Sequence, residues 1–201
     1  MKFDDYFRPF PVLNTPRLIL RSLSHRDIGG IFDCCSREAV SRFVAWKPHK
    51  NKNDSRGFID WVLMNYKTGS SVTWGIELRG TGKLIGTCSY VTIDPFFKVA
   101  ELGYALSDAY WGFGYGSEAA MALIHFGFRQ IGLQRMESRC MPENTASLRV
   151  LEKTGMRCEG VLKKGVYCKG APQDIRLYAI TDDVYNRMMS GAYNDATYIY
   201  R

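Results

Sequence analysis

Residues 110–118 read YWGFGYGSE, with glycines at 112, 114 and 116, set between a strand-like run from Val99 to Leu106 and a helix-favouring run from Ser117. Glycine reaches backbone angles closed to other residues and lets a backbone approach a ligand without a side chain in the way. A strand leading through such a loop into a helix, with another strand beyond, builds a crossover unit, so an α/β domain is expected. The unpaired N–H groups and positive dipole end of that helix would suit a phosphate. The same glycines would serve a plain tight turn equally well, and both uses stay open at this point. Two nucleotide motifs are excluded by spacing. The third glycine comes one residue early for G-x-G-x-x-G, and the Gly82-Lys83 pair is followed by Leu84, with Glu77 where a P-loop needs its first glycine.

The rest of the chain alternates between the two hydrophobic periods. Arg17 to Leu23 alternates as a strand, and Ser24 with Asp27 three residues later reads as the start of a helix. A second amphipathic helix is expected from Asp54 to Thr68, on Phe58, Trp61, Val62, Asn65 and Tyr66. Val72 to Leu78 and Leu84 to Ile93, joined by a glycine-bearing turn at 79–83, and then Val99 to Leu106, should form an antiparallel meander. After the glycine loop a helix is expected from Ser117 to Ile131, ended by Gly132. A strand from Arg135 to Met141, a short helix capped by Asn144 and stopped by Gly155, and strands near Cys158 to Val166 and Ile175 to Ile180 complete a mixed sheet. The residues after Ser190 are expected to be loosely held.

Composition narrows the function. The 201 residues fit one domain, and with 46% hydrophobic and 13% aromatic residues they can bury a full core. No apolar run approaches the roughly 20 residues a membrane helix needs, and the N-terminal acids and prolines do not resemble a secretory signal, so a cytoplasmic protein is expected. The excess of 27 Lys and Arg over 20 Asp and Glu, +7 in all, favours an anionic ligand. These cations are scattered apart from short groups such as KPHKNK and LKKG, which argues against nucleic acid as the main partner. Six cysteines without paired spacing suggest reduced, mostly buried thiols, with neither a metal site nor a disulfide framework.

Three ordered blocks resemble the GNAT acetyltransferases, in the branch that includes the ribosomal-protein alanine and serine N-acetyltransferases. TPRLILRSLSHRD is similar to the branch's opening strand, AELGYALSDAYWGFGYGSEA to its acetyl-CoA segment, and PENTASLRVLEKTGMRCEG to its second half-site. LKKGVYCKGAPQDIRLYAIT is similar to its closing hairpin, so the likeness runs from about Thr15 to Thr181. The resemblance implies the GNAT fold, a mostly antiparallel sheet flanked by helices with a V-shaped splay at the acetyl-CoA site. It further implies one domain over 15–189, with an extension at 1–14 and a tail at 190–201, acting as monomer or homodimer. The family's Q/R-x-x-G-x-G/A loop falls on Trp111 to Gly116, so the amides of Gly112, Phe113, Gly114, Tyr115 and Gly116, with Ser117 opening the helix, should hold the pyrophosphate of acetyl-CoA. Trp111 departs from Gln/Arg, as this branch usually does. Backbone at Ala105 and Leu106 would pair with the pantetheine arm, and Asn144 would bond the same arm, a role compatible with capping the helix it precedes.

The implied chemistry is transfer of acetyl from its thioester directly to a primary amine. It requires a neutral amine, a stabilised carbonyl oxygen and a donor for the departing thiolate. Many members place a tyrosine seven residues after the asparagine, where this chain has Leu151; Ser147 matches the branch's serine and is the candidate donor. Where the ribosomal-protein enzymes carry a glutamate in the closing hairpin, Val166 stands here, leaving Glu101 as the candidate base, with a surface or ion-pair role as its alternative. Such a base favours an N-terminal or small-molecule amine over a lysine. Cys140 offers no nearby activating base for a covalent route. Trp46, Trp61 and Tyr66 would line an acceptor pocket or pack in the core. The alternative function is a degenerate CoA-binding or sensor module.

Overall fold

The structure, a computed structural model, describes residues 4–191 and 199–200. In chain order its elements are α1 (Asp4–Phe7), β1 (Leu13–Asn14), β2 (Leu18–Ser22), α2 (Ile28–Cys35), α3 (Glu38–Ser41), α4 (Lys52–Thr68), β3 (Val72–Leu78), β4 (Lys83–Asp94) and β5 (Val99–Leu106). They continue with α5 (Tyr115–Phe126), β6 (Arg135–Cys140), α6 (Thr145–Lys153), β7 (Arg157–Cys168), β8 (Ala171–Thr181), α7 (Asp182–Gly191) and β9 (Ile199–Tyr200).

The strands form one sheet in the order β7-β8-β6-β5-β4-β3-β2-β1-β9. Every pairing is antiparallel except β5 with β6, as the crossover through α5 requires. That parallel pairing runs only from Val99–Arg135 to Glu101–Glu137, while β5 stays paired to β4 as far as Leu106 and β6 to β8 as far as Cys140. Past Glu101 the two strands diverge and open the sheet in a V.

Each face of the sheet is covered because its alternate side chains are apolar. On one face Trp74, Tyr90, Leu102 and Met136 meet Ala120, Leu123 and Leu151 of α5 and α6 in the main core. On the other, Leu23 and Leu84 meet Ile31 of α2 and Ile59 and Val62 of α4. Phe7 and Leu13, in the stretch read as an extension, are buried in the main core, with Phe7 edge-on to Trp74 and Phe126. The expectation of a loose tail falls mainly on 192–198 and 201, outside the described residues. Among the described residues, no helix is long and apolar enough to cross a membrane.

The local signals explain the boundaries, including those read wrongly. Asp27 Oδ2 accepts from the Ser24 amide at 2.8 Å, closing the expected cap. α4 starts two residues before the expected Asp54, because Asn51 caps it: Asn51 Oδ1 accepts from the amides of Asn53 and Asp54, and Asp54 Oδ2 from the Asn51 amide. Its buried face carries Ile59 and Val62, whereas Trp61 is 55% exposed and stacks on Phe58. The long helix after the glycine loop starts at Tyr115 and turns π-helical over Gly127–Ile131 before Gly132 ends it. α7 lies outside the sequence reading altogether, although Asp182 and Asp183 mark its first turn.

One close approach fixes the sheet beside the V. A Cβ on Gly86 of β4 would stand 2.3 Å from the Ala105 carbonyl and 3.0 Å from Leu106 Cα, so a side chain there would push β4 and β5 apart. Gly57, exposed within α4, has nothing within 4 Å. Gly86→Ala should therefore cost about 1–3 kcal/mol, while Gly57→Ala should stabilise by about 0.5–1 kcal/mol. Thermal unfolding of the two variants checks this; equal shifts would contradict the close approach.

Candidate active site

Where β5 and β6 part, a cleft of about 610 Å³ opens between the end of β5, the glycine loop and the first turns of α6, with Arg42, Phe43 and Val44 closing its far side. Of the residues expected to bind or react, Ala105, Leu106, Trp111, Gly112, Gly114 and Tyr115 line it from one wall. Gly116, Ser117, Asn144 and Ser147 complete the set. Phe113 and Glu101 are not part of the lining.

The three glycines have different duties. Gly112 (φ +83°) and Gly114 (φ +81°) are in the left-handed region, which costs a residue with a Cβ about 1–2 kcal/mol. Gly116 is already helical, and a Cβ there would touch Val150 of α6 at 3.5 Å. Ser117 is thus the third residue of α5 and does not open it. Trp111 donates through its indole to the Leu106 carbonyl at 2.8 Å, and the Glu118 amide is the first in α5 to find a carbonyl, that of Gly114. Among the described residues, the six amides from Gly112 to Ser117 meet no protein acceptor.

Arg17, just before β2, sets the loop's orientation. Its Nη1 donates to the Phe113 carbonyl at 2.9 Å, and its guanidinium sits 4.5 Å over the Tyr115 ring. A trans peptide points its C=O and N–H in opposite directions, so holding that carbonyl turns the Gly114 amide the other way. Glu118 holds Arg17 in turn, accepting from Nε at 2.6 Å, from the Arg17 amide at 2.9 Å and from Thr15 Oγ1 at 2.6 Å. The carboxylate in the first turn of α5 is thereby neutralised and leaves the helix end attractive to an anion. Arg42, Arg149 and Lys153 also line the cleft, and among the described residues none of them pairs with a carboxylate.

The open edge of β5 follows from strand alternation. Leu102 O accepts from Ser138 Oγ of β6 at 2.9 Å, whereas the Ala105 carbonyl faces Gly86 and the Ser107 amide donates to Ile85 O on the β4 side. Tyr104 and Leu106 therefore carry the backbone groups that face the V, and Ala105 contributes its surface to the cleft wall. Asn144 Oδ1 accepts from the Ser147 amide at 3.2 Å as the cap of α6, leaving its Nδ2 for a ligand.

Ser147 has a partner the sequence reading missed. Tyr104 Oη lies 2.8 Å from Ser147 Oγ and donates to the Ser147 carbonyl at 3.1 Å. Burial holds the Tyr104 phenol well above its ordinary pKa, with the bond to Ser147 pulling the other way. The neighbouring Cys140 thiol is likewise pushed up by burial, which disfavours the thiolate that a covalent route would need. Leu151 is fully buried in the core. Val166 packs beside Phe43, Met141, Cys168 and Ile175.

Glu101 stands at the vertex of the V, on the sheet face opposite Tyr104. It pairs with Arg139, the first member of a ladder that continues from Arg139 to Glu137 at 3.9 Å, then through Arg135 at 2.7 Å to Glu159. Burial pushes the Glu101 carboxyl above the ordinary range; Arg139 opposes this shift and Glu137 adds to it. Gly103, next on the same face, lies under the Val91 side chain, which a Cβ there would meet at 2.7 Å. Of the two readings of Trp46, Trp61 and Tyr66, core packing holds for Trp46 and Tyr66, which pack against the second core cluster, with Tyr66 Oη accepting from the Leu23 amide at 3.1 Å, while Trp61 is exposed. Five cysteines are buried and Cys158 is exposed.

This site offers a row of amide donors, an open strand edge and a hydroxyl pair in sequence along one cleft, an arrangement fitted to a diphosphate joined to a long amide-bearing arm. Gly114→Ala should weaken CoA binding about tenfold, because the free loop escapes the left-handed strain by leaving the geometry that binding then has to restore. Isothermal titration checks it, and an unchanged affinity would contradict the role of the loop.

A family model described as "Acetyltransferase (GNAT) domain" matches residues 17–157. A Bacillus subtilis protein named "Uncharacterized N-acetyltransferase YoaA" is 34% identical over 171 residues, covering 85% of this chain and 97% of that protein. The ribosomal-protein-serine acetyltransferase of Escherichia coli is 37% identical over 147 residues, 73% of this chain and 81% of that one. Among solved structures, a GNAT-family acetyltransferase from Bacillus anthracis superposes with a TM-score of 0.77 at 28% identity, over 86% of this chain and 99% of that one. The glycine loop, the V in the sheet and these likenesses agree, and the chain belongs to the GNAT acetyltransferases, with similarity to a ribosomal-protein N-acetyltransferase of that family.

Proposed function

We propose that the protein is an acetyl-CoA-dependent N-acetyltransferase of the cytoplasm that passes acetyl directly to a primary amine, an N-terminal or small-molecule α-amine in preference to a lysine. The observation that carries this reading is the run of unpaired amides from Gly112 to Ser117 at the mouth of a cleft that ends at Ser147. The pyrophosphate would sit on those amides, with Arg42, Arg149 and Lys153 neutralising the remaining phosphate charge. The pantetheine amides would extend the sheet at the open edge of β5, using the Tyr104 backbone groups and the Leu106 amide with Asn144 Nδ2, while the Leu106 carbonyl accepts from Trp111. The thioester then lies in the V beside Ser147.

The amine enters from the face that carries Glu101. As its nitrogen bonds to the carbonyl carbon, its proton passes to Glu101, directly or through water; the C–S bond then breaks and the electron pair leaves on sulfur. Ser147 Oγ–H meets the thiolate as a hydrogen-bond donor. Proton transfer from serine is not needed, since a thiol is far more acidic than an aliphatic hydroxyl. An α-amine, with reference pKa about 8, is partly neutral at pH 7 and makes a smaller demand on the base than a lysine near 10.4. The polar pair at Ser147 and the carboxylate at the vertex favour turnover over a module that only binds CoA.

Release of CoA thiol from acetyl-CoA, measured against Ala-, Ser- and Thr-starting peptides, a lysine peptide, free amino acids, spermidine and an aminoglycoside, tests this reading. Turnover confined to α-amines is expected, and background release throughout would refute it. With the best amine, Ser147→Ala should lower kcat about 10 to 1,000-fold. Glu101 acts as base only when ionised, so the rate should rise as pH rises through its elevated pKa. Glu101→Gln should remove that acid limb with a loss of about 100-fold, and Arg139→Gln, by deleting the cation that lowers the pKa, should move the limb to higher pH. A pH profile indifferent to both changes would exclude Glu101.

A further inference from the structure

Tyr104 and Ser147 have two hydroxyl protons between them and three oxygens within reach: the two hydroxyls, 2.8 Å apart, and the Ser147 carbonyl, 3.1 Å from the phenol. Two arrangements satisfy this set. If the phenol donates to the carbonyl, it can accept from Ser147 Oγ, and the serine proton is occupied. If the phenol donates to Ser147 Oγ instead, the serine proton is released toward the cleft. Resting on the acetyl-CoA reading above, we propose that Tyr104 is a positioning residue whose hydroxyl switches from the Ser147 carbonyl to Ser147 Oγ as the CoA thiolate forms, aiming the serine proton at sulfur.

The surroundings permit this switch. Tyr104 is held on β5 next to the V, and burial keeps its phenol protonated, so it remains a donor through the working pH range. The titratable groups acting on it are Cys140 and Cys88. Both are buried thiols with raised pKa; Cys140 is also hydrogen-bonded to Ser147, as a neutral partner weaker than a thiolate, and the charged groups acting on it are Arg176 and Glu143. Neither thiol is ionised near neutrality, so no protein anion competes with the CoA sulfur for the serine proton. A charged acceptor strengthens the serine hydrogen bond, and the phenol behind it strengthens it again, because hydroxyls in a chain polarise one another. No bond breaks in the switch: the phenol and the serine keep their protons, and the electron pair from the C–S bond stays on sulfur until CoA leaves and takes a proton from water.

The test compares the binding of CoA and desulfo-CoA, which lacks the thiol, at pH 9, where a free thiol is largely ionised. The wild type should prefer CoA, Ser147→Ala should lose that preference, and Tyr104→Phe should reduce it about tenfold while desulfo-CoA binds as before. The Tyr104→Phe, Ser147→Ala double variant should match Ser147→Ala alone. Site-specific 3-fluorotyrosine at position 104, a stronger donor of nearly the same shape, should raise the preference and keeps the test available if Tyr104→Phe folds poorly. A full preference in Tyr104→Phe, none in the wild type, or a double variant weaker than Ser147→Ala by the whole Tyr104 factor would overturn the proposal. Failure of the wild type to bind either compound would overturn the acetyl-CoA reading itself.

Discussion

Backbone N–H and C=O groups inside a fold need partners, and the functional site is the region where this chain leaves them unpaired. β5 is paired on its β4 side as far as Leu106 but loses β6 after Glu101, and the amides from Gly112 to Ser117 follow with no protein acceptor among the described residues. The sheet and the loop together leave a continuous edge of backbone groups. The rest of the fold serves to hold that edge open: α5 and α6 are packed on one face, and the close approach at Gly86 fixes β4 against β5 on the other side.

An unpaired loop of this kind would collapse onto its own carbonyls unless something held them away. Arg17 does so at Phe113, binding its carbonyl while Glu118 holds Arg17 and accepts from Thr15. The clamp reaches from the start of the chain to the first turn of α5, so the N-terminal strand is part of the site's construction. At the other end of the cleft the polar pair Tyr104 and Ser147 lies between β5 and α6, where burial keeps the Tyr104 phenol protonated and the two hydroxyls are in contact. Charge is treated differently on the opposite face, where Glu101 belongs to a ladder of alternating carboxylates and guanidinium groups.

Local signals were legible in the sequence where the physics is local. The meander showed in its alternation, the glycine-bearing turn in Gly80 and Gly82, and the α6 cap in Asn144, and the glycine loop marked the site. The Asn51 cap was equally present but was passed over, because the apolar periodicity of α4 begins only at Phe58. What stayed hidden depends on register between distant segments. The pairing of Glu101 with Arg139, the bond from Arg17 to Phe113 and the contact of Tyr104 with Ser147 join residues 38, 96 and 43 positions apart. Trp61 was misplaced for a related reason: helical spacing puts Phe58, Trp61 and Ile59, Val62 on adjoining stripes, and only the packed sheet decides which one is buried.

Backbone-resolved hydrogen exchange, with and without acetyl-CoA, tests the central claim most directly. Strong protection of the Gly112 to Ser117 amides and of the open β5 edge on adding acetyl-CoA, with the β7 and β8 amides unchanged, is the expected result. Exchange at those amides that stays fast under saturating acetyl-CoA, or protection confined to another part of the sheet, would contradict it.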